Sequence, residues 1–170
     1  MPPIRERKRL SGRMRAIINH IWHHFIQPLV RRPDFIQVGA YCWRDNDGTR
    51  EILLVTSSNK NWIIPKGWPI EGMDCAGAAM VEAWEEAGVQ TIHSNVRFLG
   101  MYNGRKEMFE GVYVNTHTHV YEIKADILKD DYPEKDSRER RWIKASDAAK
   151  IVSDPYMAAF LDQQKTLQDV

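Results

Sequence analysis

The segment 74–88 constrains this chain more than any other. Ala76, Ala79, Met80, Ala83, Trp84 and Ala87 fall at i, i+3, i+4, i+7, i+8 and i+11, one continuous apolar face of a helix. Asp74 stands where an N-cap is needed, and Gly88 where the chain must turn left-handed to stop. Around this helix the pattern is β-rich and short. Runs at 35–43 and 51–56 flank an Asn46-Asp47-Gly48 turn, and 62–64 is closed by Pro65. Further strands are expected at 96–102, 111–115 and 118–125, and in a short run ending in Arg141-Trp142-Ile143. Two C-terminal helices follow, one capped by Ser146 and one by Asp154 with Pro155 at its first position. At 170 residues this suits a single α+β domain, an α/β/α sandwich with a mixed sheet.

The central helix carries an anomaly. Glu82, Glu85 and Glu86 occupy its last turn and a half, in a sector of about 100° opposite the apolar face. Carboxylates there oppose the helix dipole at about 0.3 to 1 kcal/mol each, and like charges at i, i+3 and i+4 add a few tenths. A merely solvated acidic face is the plain alternative. A divalent cation reverses the sign of both penalties, and an all-oxygen cluster suits hard ions such as Mg²⁺ or Mn²⁺. Just upstream, Lys66 lies beside Gly67, a cation next to backbone that a ligand can approach closely. That pairing is what an anionic phosphate substrate requires.

Residues 67–89 resemble the Nudix box, G-x5-E-x7-R-E-U-x-E-E-x-G-U with U aliphatic. Gly67, Glu82, Ala83, Glu85, Glu86, Gly88 and Val89 match it; Met73 replaces the first Glu and Val81 the Arg. The stretch 121–143, with Asp-Tyr-Pro-Glu-Lys and then Arg-Glu-Arg-Arg-Trp-Ile, is similar to the diphosphoinositol polyphosphate phosphohydrolase branch. The resemblance spans about residues 35–165 and implies a Nudix-type sandwich, with Mg²⁺-dependent water attack on phosphorus in a diphosphate linkage. It implies Glu82, Glu85 and Glu86 as metal ligands and catalytic acids, with Glu82 or Glu85 as general base, and Lys66 and Gly67 as phosphate contacts. In the family the Glu at 73 completes the acidic site and the Arg at 81 holds the glutamates in place. Neither function survives in Met or Val, and Glu71 is a candidate substitute for the first.

Arg105, Lys106, Arg138, Arg140 and Arg141 are expected in or beside loops, and Arg105, Arg138 and Arg140 are taken as further substrate contacts. The expected substrate is a polyphosphorylated small molecule, a diphosphoinositol polyphosphate or a dinucleoside polyphosphate. The alternatives are a catalytically weakened Nudix-fold binding module and a hydrolase of smaller nucleotides. Nucleic acid is not an expected partner.

Charge divides the chain. Residues 1–33 sum to +7 and the remaining 137 to −6. Leu10, Met14, Ile17, Ile18, Ile21, Trp22, Phe25, Ile26 and Leu29 recur there at helical spacing, so a basic amphipathic N-terminal helix is expected over 1–33, ahead of a hydrolase domain at 34–170. A homodimer through that helix is one expected use of its apolar stripe. No apolar run is long enough to span a bilayer. The two cysteines, Cys42 and Cys75, suit reduced thiols in a cytoplasmic protein.

Overall fold

The computed structural model describes residues 35–168. The helix expected over 1–33, and the dimer expected through it, lie outside the described residues. The elements run β1 (Phe35–Asn46), β2 (Thr49–Thr56), β3 (Trp62–Ile63), β4 (Lys66–Gly67), α1 (Cys75–Ala87), β5 (Val89–Gln90), β6 (Val96–Phe109), β7 (Val112–Lys124), β8 (Ile127–Leu128), β9 (Arg140–Lys144), α2 (Ala145–Ile151) and α3 (Pro155–Gln168). The main sheet has the order β3-β2-β1-β7-β6, with β4 added to β1 and β9 to β2; β5 and β8 form a separate pair. It is mixed: β1 runs parallel to β7 and antiparallel to β2 and β4.

Both faces of the sheet are covered, which explains why β2 reads as an unbroken apolar run instead of alternating. Ile52 and Leu54 join Tyr41, Val120, Met157, Phe160 and Leu161 in one core beneath α2 and α3. Leu53 and Val55 join Val38, Ala40, Cys42 and Ile123 in the other, beneath Ala78, Ala79, Ala83 and Ala87 of α1. The layers are therefore α/β/α. Asp47 and Gly48 both have positive φ, as a two-residue hairpin turn between right-twisted strands demands.

The expected caps of α1 are present. The Asp74 side chain accepts from the Gly77 N–H at 2.6 Å, and Gly88 closes the helix at φ 71°. Ser146 is not a cap: α2 begins at Ala145 after Lys144, which provides no side-chain bond. Asp154 does cap α3, accepting from the Tyr156 N–H at 2.9 Å. The strands expected at 96–102, 111–115 and 118–125 are instead the two arms of one long hairpin. Polar Arg105 and Lys106 are consequently strand residues, while Arg140 and Arg141 open β9 directly beside the loop that precedes it.

A Cβ at Gly88 would collide with the Lys129 carbonyl and come within 2.8 Å of both Arg140 Nη1 and Tyr132. With αL strain alone at about 1 to 2 kcal/mol for an L-residue, Gly88→Ala is expected to lower unfolding stability by at least that much. Urea titration tests this, and an unchanged midpoint would mean that the C-terminal turn of α1 can be rebuilt without glycine.

Candidate active site

The site is built where α1 meets β4. Lys66 and Gly67 pair with Gly39 and Val38 of β1, and the Ala40 N–H donates to the Pro65 carbonyl at 2.8 Å, so this short loop is fastened to the middle of the sheet. A Cβ at Gly67 would strike the Glu82 carboxylate. The glycine is thus the cradle into which that side chain fits. On Glu86, Oε2 accepts the Lys66 backbone N–H at 3.0 Å, while Oε1 forms an ion pair with Arg138.

The face that α1 turns to the sheet differs from the one its apolar spacing suggests. Ala78, Ala79, Ala83, Glu86 and Ala87 are buried, whereas Trp84 is only partly so. Small alanines seat the helix on β1 in this orientation, and Glu86 is carried inward with them. Burial pushes both Glu82 and Glu86 up to about 7 from 4.5, with the neighbouring charge of Glu85 adding to the effect at Glu82 and Arg138 opposing it at both. Two uncomfortable carboxylates one helical turn apart form a set of hard oxygen donors. They fit Mg²⁺, which takes one or two protein carboxylates and completes its shell with water and substrate phosphate. Among the described residues no three acidic, histidine or cysteine groups stand together as a ready-made metal cluster.

Glu82 has no ion-pair or hydrogen-bond partner among the described residues, which makes it the cleaner probe of this strain. Its folded pKa of about 7 lies above the reference 4.5, so between those values the native state holds the proton that the unfolded chain releases. Stability contributed by the protonated form is therefore complete below about 4.5 and lost as pH rises through about 7. Metal-free Glu82→Gln is expected to match wild type in Tm near pH 5 and to exceed it increasingly toward pH 8. A Tm difference independent of pH would show that Glu82 is not strained.

The other expected site residues are distributed as follows. Lys66 is held below the usual lysine range by burial and then by the charge of Lys106, and its Nζ donates to the buried Gln37 Oε1 at 3.4 Å. Lys66 also forms one wall of a cavity of about 420 Å³ that Arg105, Lys106, Glu107, Asp154 and Tyr156 line as well. Lys106 stacks over Trp68 at 4.5 Å. Met73 and Glu71 are exposed, and neither makes a bond to the acidic pair. Arg140 is not at this site: it donates to the Ala87 and Lys129 carbonyls at 2.9 and 2.5 Å and to Asp130 at 2.5 Å. It supplies the cation that the last turn of α1 lacks, in the place the helix dipole favours.

Two residues escaped the sequence reading. Gln37 is 2 % exposed and its Nε2 has no partner among the described residues, although it sits beside Lys66. A lone amide in an otherwise apolar strand was its only signal. Glu134 holds Arg138 from four residues away, a spacing visible in the sequence but without a helix to give it meaning.

A mixed sheet sandwiched by helices delivers paired glutamates against a Lys-Gly loop, oxygen donors for a hard cation beside a cation suited to phosphate. The family profile of the NUDIX domain matches residues 35–164, and the chain belongs to that family. Human diphosphoinositol polyphosphate phosphohydrolase 3-beta is 32% identical over 135 residues, covering 76% of this chain and 77% of the relative. Mouse diphosphoinositol polyphosphate phosphohydrolase 2 is 31% identical over 134 residues, covering 76% and 70%. Among solved structures, C. elegans Ap4A hydrolase superposes with a TM-score of 0.58 at 21% identity over 80% of this chain and 99% of that one. The NUDIX domain of Shewanella oneidensis NrtR bound to ADP ribose gives 0.58 at 14% identity, covering 88% and 97%. The two structures share the fold.

Proposed function

We propose that this protein is a divalent-metal-dependent pyrophosphohydrolase that cleaves a diphosphate linkage in a polyphosphorylated small molecule, by attack of water on phosphorus. The observation that carries this reading is the pairing of Glu82 and Glu86 at the Lys66–Gly67 loop, next to a cavity whose basic residues are Lys66, Arg105 and Lys106. Glu82 and Glu86 would hold Mg²⁺ or Mn²⁺, whose chemistry is to neutralise phosphate oxygens and acidify the attacking water. Lys66 and Gly67 bind the phosphate next to the reacting one. Arg105 and Lys106 orient the rest of the phosphate chain, their strand fixing the spacing between the two charges. The proton released by water goes to a carboxylate of the same helix face, Glu82 or Glu85.

The substrate is a diphosphoinositol polyphosphate or a dinucleoside polyphosphate. The names of the curated relatives support the first. The cavity favours the second: Glu107 and Asp154 offset two of its three cations, and the Tyr156 ring, 50% exposed, offers a base a stacking surface. Domain organisation follows the same reading, with residues 34–170 as the hydrolase unit. A reducing, cytoplasmic setting is part of the proposal and is supported by the free thiols of Cys42 and Cys75.

The test is product analysis with Mg²⁺ and Mn²⁺ over both substrate series and over nucleotide sugars. Metal-dependent cleavage of one series at the phosphoric anhydride is the expected result. Binding without turnover across the panel would favour a binding module instead. Fastest turnover of nucleotide sugars would favour the hydrolase of smaller nucleotides.

A further inference from the structure

We propose that Arg138 is a positioning residue for Glu86 rather than a contact for substrate, and that Glu134 aligns it. The inference rests on the reading of Glu86 as a metal ligand. All three nitrogens of the guanidinium are engaged with protein. Nε donates to Glu134 at 2.5 Å, Nη1 to the Thr56 carbonyl at 2.8 Å, and Nη2 pairs with Glu86. The side chain is 17% exposed, and that of Glu86 is 5% exposed. A planar fork held at three corners fixes the direction of the carboxylate it faces, which a freely rotating ammonium does not. Glu86 receives one donor on each oxygen, Lys66 N–H on one and Arg138 on the other, leaving a lone pair on each for a cation.

The segment that carries Arg138 is itself fastened at both ends. The Glu134 N–H donates to the Glu85 carbonyl at the end of α1, and the Arg138 N–H to the Glu134 carbonyl, each at 3.0 Å. The next residue, Glu139, exchanges two bonds with Thr56 at the end of β2. The helix cannot supply this function itself: its last turn holds no basic residue, and position 81 is Val. A cation from another part of the chain, locked to β2, therefore sets the orientation of a ligand on α1.

A double-mutant cycle tests this in the full-length protein. Arg138→Gln is expected to lower kcat by at least about tenfold, with substrate KM within about threefold at saturating Mn²⁺, and to have almost no further effect in a Glu86→Gln background. Arg138→Lys, which keeps the charge but not the fork, should fail to restore kcat. Glu134→Gln should reproduce the loss in part. The electron paramagnetic resonance spectrum of Mn²⁺ bound without substrate should broaden in Arg138→Gln, because one ligand is no longer held in a single orientation. A raised KM with unchanged kcat and an unchanged spectrum would overturn the proposal and return Arg138 to the substrate. So would losses that multiply in the double variant. Wild-type turnover in Glu86→Gln alone would instead bring down the metal-site reading, and this proposal with it.

Discussion

Glu86→Gln is expected to lower turnover at least about a hundredfold, with far-ultraviolet circular dichroism unchanged. The substitution is nearly isosteric, so the packing of α1 on β1 survives. What it removes is half of the charge that a divalent cation would meet at the paired carboxylates. An amide also puts a second donor opposite either the Lys66 N–H or Arg138, so the ligand loses a hydrogen bond as well as its charge. The effect on stability separates the two acids. Glu82→Gln chiefly relieves strain, giving up only the longer-range attraction of Arg138 and Lys106, whereas Glu86→Gln takes a buried ion-pair partner from Arg138, so its metal-free Tm should show no comparable gain. Kinetics at saturating substrate with a Mn²⁺ titration is the measurement. Wild-type kcat in the purified variant would remove Glu86 from the active site.

The features that the sequence disclosed here are the local ones. Asp74, Gly88 and the Asp154-Pro155 start of α3 act within a few residues of themselves, so their chemistry is written in adjacent letters. The acidic cluster was legible for the same reason, since three carboxylates in the last turns of one helix contradict the dipole whatever surrounds them. The orientation of that helix was not legible. Spacing alone allowed Ala76 and Trp84 to face the core, and only the fit of Ala79 and Ala83 against Val38 and Ala40 decides that Glu86 goes inward. The basic residues were hardest to place. Arg138 and Arg140 are two letters apart with the same side chain, yet one grips Glu86 and the other the carbonyl of Ala87. Which of them meets the active site depends on how β9 registers against β2, a pairing between distant segments. The same long-range geometry bears on the departure at position 81. Val81 offers no cation to the glutamates, and the guanidinium that pairs with Glu86 comes from another element.

Gly67→Ala should produce a loss nearly as large with a different signature. The added methyl would overlap all three terminal atoms of Glu82, its two oxygens and the carbon between them. Those atoms are the free end of a flexible side chain, so Glu82 can swing aside and the fold need not yield. The backbone at residue 67 is not in the left-handed region, so alanine adopts it without strain and stiffens the unfolded chain besides. Tm is therefore expected to stay level or rise slightly, while activity falls at least about thirtyfold and Mn²⁺ binds at least about tenfold more weakly, because a carboxylate displaced by even about 1 Å no longer shares a cation with its partner. In a Glu82→Gln background the same alanine should cost almost nothing more, since the ligand it displaces is already gone. That non-additivity separates a steric effect on Glu82 from a direct effect on phosphate approaching the loop. If the losses multiply, Gly67 is needed for the substrate's approach to the backbone; if the single variant is fully active, Glu82 does not take its working position against this strand.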